Sequence, residues 1–461
     1  MKVRNKDKAR TEDELKGSQI AGNGLLDRRL FLAGGLLAGS VAALPKVGHT
    51  DDIDESNTEA AISSMLRELD AKSGAQSIST YLPESMRKPG LSFRGYGKPA
   101  DTENSVKRMV LQPYGDLAPG AGVAMTPLQS LEGSITPNGL HFERSHNGRP
   151  TINPDQHEFF IHGLVRQPLK FSMDALSRYP MISRAYFIEC AGNSFFNSNL
   201  FSEPMQVSVG MLHGLVSGAE WTGIPLSVLL DEAGLLPEGK WLLAEGADSA
   251  GMSRSIPLKK AMHDAMIAIY QNGEMLRPEQ GYPMRLLLPG FEGNMSVKWL
   301  RRLKVTQGPT YTKDETSKYT DLMPDGVARQ FTYTMGVKST ITKPATGLVM
   351  DGPGVYEISG LAWSGSGRIT RVEVSADGGK SWATAAMDSE PLPMALTRFR
   401  IPWKWDGLPT LLQSRATDEA SNTQLRREIW SAQYAEGQLY HCNAIQTWGV
   451  ARNGEVSNVF I

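Results

Sequence analysis

The texture of this chain changes near residue 330, and that change limits the fold more than any overall composition does. Between about 100 and 325, short apolar strand-like runs alternate with short helical patterns. Phe159-Phe160-Ile161-His162-Gly163-Leu164-Val165, Trp241-Leu242-Leu243-Ala244 and Met284-Arg285-Leu286-Leu287-Leu288 read as strands, and 225–233 reads as a short helix with Pro225 in its first turn. Beyond 330 the segments 355–360, 369–376 and 426–434 alternate apolar and polar side chains, with turns such as Asp377-Gly378-Gly379 between them. A period of two suits strands and not helices. Trp363, Trp382, Trp403, Trp405 and Trp430 supply core or interface filler for that region. The expected architecture is α+β, a mixed domain followed by an immunoglobulin-like β-sandwich of about 130 residues.

At 461 residues and 40% hydrophobic content the chain can bury more than one core. Its formal charge of −1 gives no reason to expect a nucleic-acid or acidic-membrane surface. An anionic substrate must then be drawn in by a local cluster. The N-terminus reads as an address: a basic, polar stretch leads to Leu26-Asp27-Arg28-Arg29-Leu30-Phe31-Leu32, then to a Gly/Ala/Leu-rich run ending at Pro45. That run is too short to span a bilayer, and its order of features is that of a twin-arginine export signal. Such export carries folded proteins, so a cofactor loaded in the cytoplasm and a periplasmic destination are expected, with no membrane span in the mature form. Residues 45–119, polar and then rich in Pro and Gly, read as a linker and surface-wrapping extension.

Only two cysteines occur, Cys190 and Cys442, which rules out a CxxC redox pair, a cysteine-rich zinc cluster and a Cys-x-x-Cys-His haem attachment site. Cys190 closes an apolar strand-like run and opens into Ala191-Gly192-Asn193, where it can present one soft thiolate while the glycine permits close approach to the backbone. Cys442 is read as structural. Around Cys190 stand four further motifs: Phe142-Glu143-Arg144-Ser145-His146, Ser255-Ile256-Pro257-Leu258, Gly281-Tyr282-Pro283-Met284-Arg285, and Pro289-Gly290 through Val297-Lys298-Trp299-Leu300. Their order and spacing resemble the sulfite oxidase family of molybdenum enzymes. Ala362-Trp363-Ser364-Gly365-Ser366-Gly367-Arg368 extends the likeness into that family's dimerisation domain. The resemblance covers residues 120–461 and divides them into a molybdopterin-binding catalytic domain, 120–328, and the sandwich, 329–461, after a leader at 1–44.

What the resemblance implies is a molybdenum-molybdopterin cofactor, with Cys190 as protein ligand to the metal. Phe142, Glu143, Arg144, Ser145, His146, Asp248, Gln280, Arg285, Ser296, Val297 and Lys298 fall on positions that hold the pterin and its phosphate. Gln280 stands where the family usually has His, so a hydrogen bond is kept while any positive charge is lost. Arg144, Tyr319 and Arg368 match active-site positions on the substrate side.

Within the family, His213-Gly214-Leu215-Val216-Ser217 and the tail 440–450 look most like the molybdenum subunits of sulfane dehydrogenases. Two arginines that follow Cys-Ala-Gly-Asn in plain sulfite oxidases are here Ser194 and Phe195, and Met211 replaces the family's pocket Trp. A free sulfite dianion binds best where guanidinium groups converge, so these exchanges favour sulfane sulfur borne on a carrier protein. Electrons would leave through a separate dihaem c-type cytochrome subunit, in a heterotetramer built on a homodimer of this chain. The alternatives are a sulfite dehydrogenase acting on free sulfite and a non-enzymatic exported scaffold.

Overall fold

The computed structural model describes residues 19–27, 86, 92–113 and 115–461. Arg28, Arg29 and the apolar run after them lie outside the described residues. The described residues 19–27 and those of 106–461 belong to one compact unit; the described residues of 35–105 belong to another and include the 3-10 turn Asp101–Glu103. No helix among the described residues is long and apolar enough to cross a membrane.

The first half of the larger unit is built on two five-stranded sheets. One is antiparallel and contains Ile182–Glu189, Val216–Pro225, Met266–Gln271, Glu274–Met275 and Arg285–Leu287. The other runs in the order Leu169–Ser172, Glu158–Gly163, Leu300–Thr306, Trp241–Gly246, Ser253–Pro257, with a parallel pair between Glu158–Gly163 and Leu300–Thr306. The helices Leu226–Ala233 and Leu258–Asp264 are short, each preceded by a proline at its N-cap, where the fixed φ suits helix entry. Leu226, Leu229, Leu230 and Ala233 are buried, one apolar stripe at helical spacing against a core that includes Phe159, Ile161, Leu242, Leu286 and Leu303. A three-stranded sheet, Met109–Leu111, Gly122–Met125 and Glu143–Ser145, carries the Phe142 motif.

Beyond residue 337 two sheets face each other: Lys338–Lys343, Gly354–Trp363, Thr397–Trp405 and Ala386–Met387 against Ala383–Thr384, Ile369–Ser375, Thr410–Asp418, Thr447–Val450 and Val456–Val459. Trp363, Trp403, Trp405 and Trp448 fill the space between them. The α+β domain followed by a β-sandwich is therefore what the chain forms. One expected strand is not there: within 426–434 the chain forms the helix Arg427–Ser431. Only Trp430 of that helix is buried, its indole donating to the His441 carbonyl at 3.1 Å, so one anchored residue and not a sheet face organises the segment.

Two further findings alter the picture drawn from sequence. Residues 19–27, inside the stretch read as leader, pack on the sandwich, with Leu25 0% and Leu26 1% exposed. The sandwich in turn reaches into the cysteine loop. Glu189, 1% exposed, accepts from the Trp363 indole at 2.7 Å and from Lys338 at 3.2 Å.

Candidate active site

Cys190 leaves the end of Ile182–Glu189 and is held by backbone and side-chain bonds on both sides. Its amide donates to the Leu215 carbonyl at 2.9 Å, and its carbonyl accepts from the Asn193 amide at 2.8 Å. Asn193 ties the turn together by donating to Glu189 at 2.8 Å and accepting from the Leu215 amide at 3.1 Å. The turn ends at Ser194, whose φ of 69° is left-handed for a residue that is not glycine. Gly192 has open space beside its backbone, as a close approach by another group requires. A Cβ there would meet nothing nearer than Leu439 at 3.9 Å, so the glycine keeps the mouth of the site open.

Two cavities meet at Cys190. The inner one, about 650 Å³ of non-atom space, is lined by Phe142, Glu143, Arg144, Ser145, His146, Asp248, Gln280, Arg285, Ser296, Val297 and Lys298, with Cys190 and Tyr319. The structure thus brings together every residue expected from sequence except one. Arg368 lines neither cavity; it is 45% exposed and pairs with Glu419 at 2.9 Å on the sandwich. The outer cavity, about 2320 Å³ and open to solvent, has an apolar wall that includes Leu111, Phe195, Phe196, Leu215, Leu439 and Tyr440. Arg144, His146, Cys190 and Tyr319 line both and form the junction.

The inner cavity is an anion cradle. Arg285 and Lys298 are adjacent across an isolated bridge, the first buried and the second half-buried. Their partners are mostly neutral oxygens. Arg285 donates to the carbonyls of Ser296 at 2.7 Å and Gln280 at 3.1 Å; Lys298 donates to those of Glu279 at 2.9 Å and Arg144 at 3.0 Å. Burial without a paired anion pushes Arg285 down to about 9 and Lys298 down to about 7. A phosphate would pair with both and hold Lys298 in its charged form. Gln280 performs the role expected of it, donating to the Phe142 carbonyl at 2.8 Å and accepting from Arg285 at 3.4 Å. The Ser296 hydroxyl accepts from the Leu288 amide at 3.0 Å, and Asp248 accepts from the Met252 amide at 3.2 Å, which sets the walls. Two buried nitrogens beside the cradle, His141 Nε2 and Asn294 Nδ2, have no partner, leaving polar capacity for a bound group.

The metal side fits the same reading. Among the described residues no group of three or more His, Cys, Asp or Glu side chains is placed to hold a metal ion. A metal at Cys190 would then take one thiolate from the protein and the rest of its ligands from an organic group. Burial raises the Cys190 thiol, and coordination is what would keep it ionised.

His146 and Tyr319 were expected at the site, but their pairing and the residues behind it, Arg254 and His441, were not visible in the sequence. His146 Nε2 lies 2.7 Å from the Tyr319 hydroxyl. Burial, then the charge of Arg144, pushes His146 down to about 3, so it is neutral at physiological pH, and in its Nδ1-H tautomer it accepts the phenol proton. Tyr319 itself is raised well above its usual range, by burial first and by Cys190 second, and stays protonated. Arg254 stacks 4.9 Å from the Tyr319 ring and pairs with Glu292 and Glu315, each at 2.9 Å. His441 lies between Glu292 and Asp321, 3.4 Å from each. Ser194 is turned away from the cavities, bonded to His213 at 2.6 Å and to Lys338 at 2.6 Å. A charge-bearing tail motif was the one available signal for His441; nothing local pointed to Arg254.

Known proteins match this chain at the level of whole domains. Residues 146–313 match the oxidoreductase molybdopterin binding domain, and residues 329–448 match the Mo-co oxidoreductase dimerisation domain. The chain is similar to the NADH nitrate reductase of Solanum lycopersicum, 31% identical over 383 residues, which is 72% of this chain and 41% of that protein. It is also similar to NADH nitrate reductase 1 of Arabidopsis thaliana, 31% identical over 69% of this chain and 39% of that one. The chain thus spans about two fifths of the curated relatives it matches. Among solved structures, the sulfane dehydrogenase SoxCD from Paracoccus pantotrophus matches with a TM-score of 0.78 and 44% identity, covering 85% of this chain and 99% of that chain.

Proposed function

Since this chain belongs to the sulfite oxidase family of molybdenum enzymes, we propose that it is a molybdenum-dependent sulfane dehydrogenase subunit that oxidises sulfur carried on a partner protein. The observation that carries this reading is the apolar outer cavity, where Phe195 and Phe196 lie with ring centroids 4.0 Å apart beside the cysteine. Arg144 is the one arginine lining that cavity among the described residues, alongside Lys313 and Lys318. A pocket with a wide apolar mouth and a single guanidinium, where convergent arginines would clasp a dianion, suits a sulfane sulfur on a protein arm better than a free dianion.

The chain's own residues bind, orient and exclude water. Arg285 and Lys298 would hold the pterin phosphate, Gln280 would keep Arg285 aimed at it, and Cys190 would hold the metal. When bound, molybdenum-molybdopterin supplies the two-electron oxidation: each oxygen added to sulfur comes from one water and releases two electrons and two protons. Arg144 meets the anionic product as it forms. Tyr319, its proton directed to neutral His146, keeps its oxygen lone pairs available to a water or substrate donor at the junction.

Electrons leave for a separate c-type, dihaem cytochrome subunit, since the two cysteines offer no haem attachment site. The reading includes a homodimer of this chain within a heterotetramer, and delivery to the periplasm by the twin-arginine route. The intact cradle around Cys190 argues against the exported-scaffold alternative. The test of substrate is Phe195→Arg, assayed with free sulfite and with a carrier-bound sulfane. One restored guanidinium is worth about 2 kcal/mol, roughly 30-fold in kcat/KM for sulfite, with a matching fall for the carrier substrate. Fast sulfite turnover by the unsubstituted chain with only a small artificial acceptor would favour the sulfite dehydrogenase instead.

A further inference from the structure

The sandwich strand Thr397–Trp405 is covered only in part on one edge. Its short neighbour Ala386–Met387 pairs with Phe399 and Arg400, leaving 402–404 without a partner from that strand. Residues 24–26 take that place. The Leu26 amide donates to the Pro402 carbonyl at 3.0 Å, the Lys404 amide donates to the Gly24 carbonyl at 2.7 Å, and Leu25 bridges Trp403 in antiparallel sense. This is strand addition to an open sheet edge, and the side chains give it specificity.

Nearly every position of the segment is dictated by the surface it meets. A Cβ on Gly22 would come within 2.6 Å of the Asp377 carboxylate, and the Gly22 amide donates to Ser381 at 2.9 Å. Asn23, at φ 54°, donates to the Ala376 carbonyl at 2.8 Å and to Thr410 at 3.0 Å, while its carbonyl accepts from the Trp403 indole at 2.6 Å. Gly24 has φ 84°, and any Cβ there would collide with the Lys404 carbonyl. Leu25 joins the sandwich core beside Trp403. Asp377 is itself fixed by Ser375 at 2.7 Å and by the amides of Lys380 and Ser381 at 3.0 and 2.9 Å, so the receiving loop is preformed.

We propose that the sandwich carries a sequence-specific peptide site for Gly22-Asn23-Gly24-Leu25-Leu26, and that the precursor's leader is bound there by its own enzyme. The site stands on contacts alone. Its meaning for transport rests on the twin-arginine reading: in sequence the arginine pair, Arg28 and Arg29, follows the docked Leu26 after one residue.

Hydrogen exchange on the full-length precursor tests it, read at the amides of Leu26 and Lys404. Both should be protected, and Gly24→Val should speed their exchange by about tenfold or more while the amides of Ile358 and Val372 in the sandwich core stay unchanged. A synthetic peptide of residues 19–27 added in excess to the Gly24→Val chain should restore Lys404 protection; the same peptide carrying Gly24→Val should not. Equal exchange in the two chains, or rescue by both peptides, would overturn the proposal. The precursor with Arg28→Lys and Arg29→Lys separates the two readings. Undiminished periplasmic accumulation of that variant, with Lys404 still protected, would refute the export reading and leave the peptide site standing. Arrest in the cytoplasm with Lys404 unprotected in all chains would do the reverse.

Discussion

Replacing His441 with Gln should make the stability of this protein nearly indifferent to pH in a window where the natural chain weakens. Burial on its own would lower the His441 imidazole, but hydrogen bonds to Asp321 and Glu292 outweigh it and push it up to about 10. A histidine that binds its proton more tightly when folded stabilises the native state below its unfolded value, near 6.5, and loses that contribution as pH rises toward 10. The interval sets a ceiling of roughly 5 kcal/mol at about 1.4 kcal/mol per pH unit. Both nitrogens stand 3.4 Å from their carboxylates, and Glu292 has Arg254 as a second partner. The expected loss is therefore about 3 kcal/mol, the low end of breaking a buried pair. Urea unfolding at pH 6.0 and 9.5, on natural chain and His441→Gln alike, would measure it. The variant should be weaker by about that amount at pH 6.0, with the gap closing at the higher pH. A gap that stays constant or widens would show that His441 is not charged between its two acids.

Cys190→Ser should abolish turnover and metal content while the urea midpoint moves little, because the loop is held by Asn193 and Glu189 and not by the thiol; full activity would remove this cysteine from the site. Lys298→Met should leave the fold intact but lower pterin retention on gel filtration by about tenfold, one charge-assisted phosphate contact being worth about 1.5 kcal/mol. Unchanged retention would place the phosphate elsewhere. Tyr319→Phe should slow oxidative turnover by about tenfold without emptying the metal site, a loss of one hydrogen bond at the junction. Unaltered kinetics would reduce this tyrosine to packing.

What could be read from residues alone divides along physical lines. The strands at 158–163 and 241–246 and the helix 226–233 announced themselves through local periodicity, and the cradle residues through motifs whose order survives in the chain. Arg427–Ser431 misled because alternation over a few residues also arises in a helix with one buried anchor, Trp430. Arg254 and His441 were invisible as parts of the site since their partners, Glu315 and Asp321, lie 61 and 120 positions away in sequence. Charge pairing at that separation leaves no local pattern. Residues 19–27 were assigned wholly to an address, although Gly-Asn-Gly followed by two leucines equally describes a turn and a strand. Arg368 matched a motif but meets Glu419 on the sandwich surface, so a shared loop did not bring its side chain to the cavities.

The carboxylate of Glu189 has a consequence for how this enzyme can be rebuilt. It sits one residue before the proposed metal ligand, and of the three groups that donate to it only Asn193 is local; Lys338 and Trp363 belong to the other half of the protein. A chimera that grafts the sandwich of another protein onto this catalytic half would need lysine and tryptophan at those same two places. Without them the buried carboxylate would keep only its bond from Asn193. Substitutions made on the sandwich to alter subunit pairing should for the same reason be checked by the spectrum of the metal, which would register a disturbance there before any change in assembly was seen.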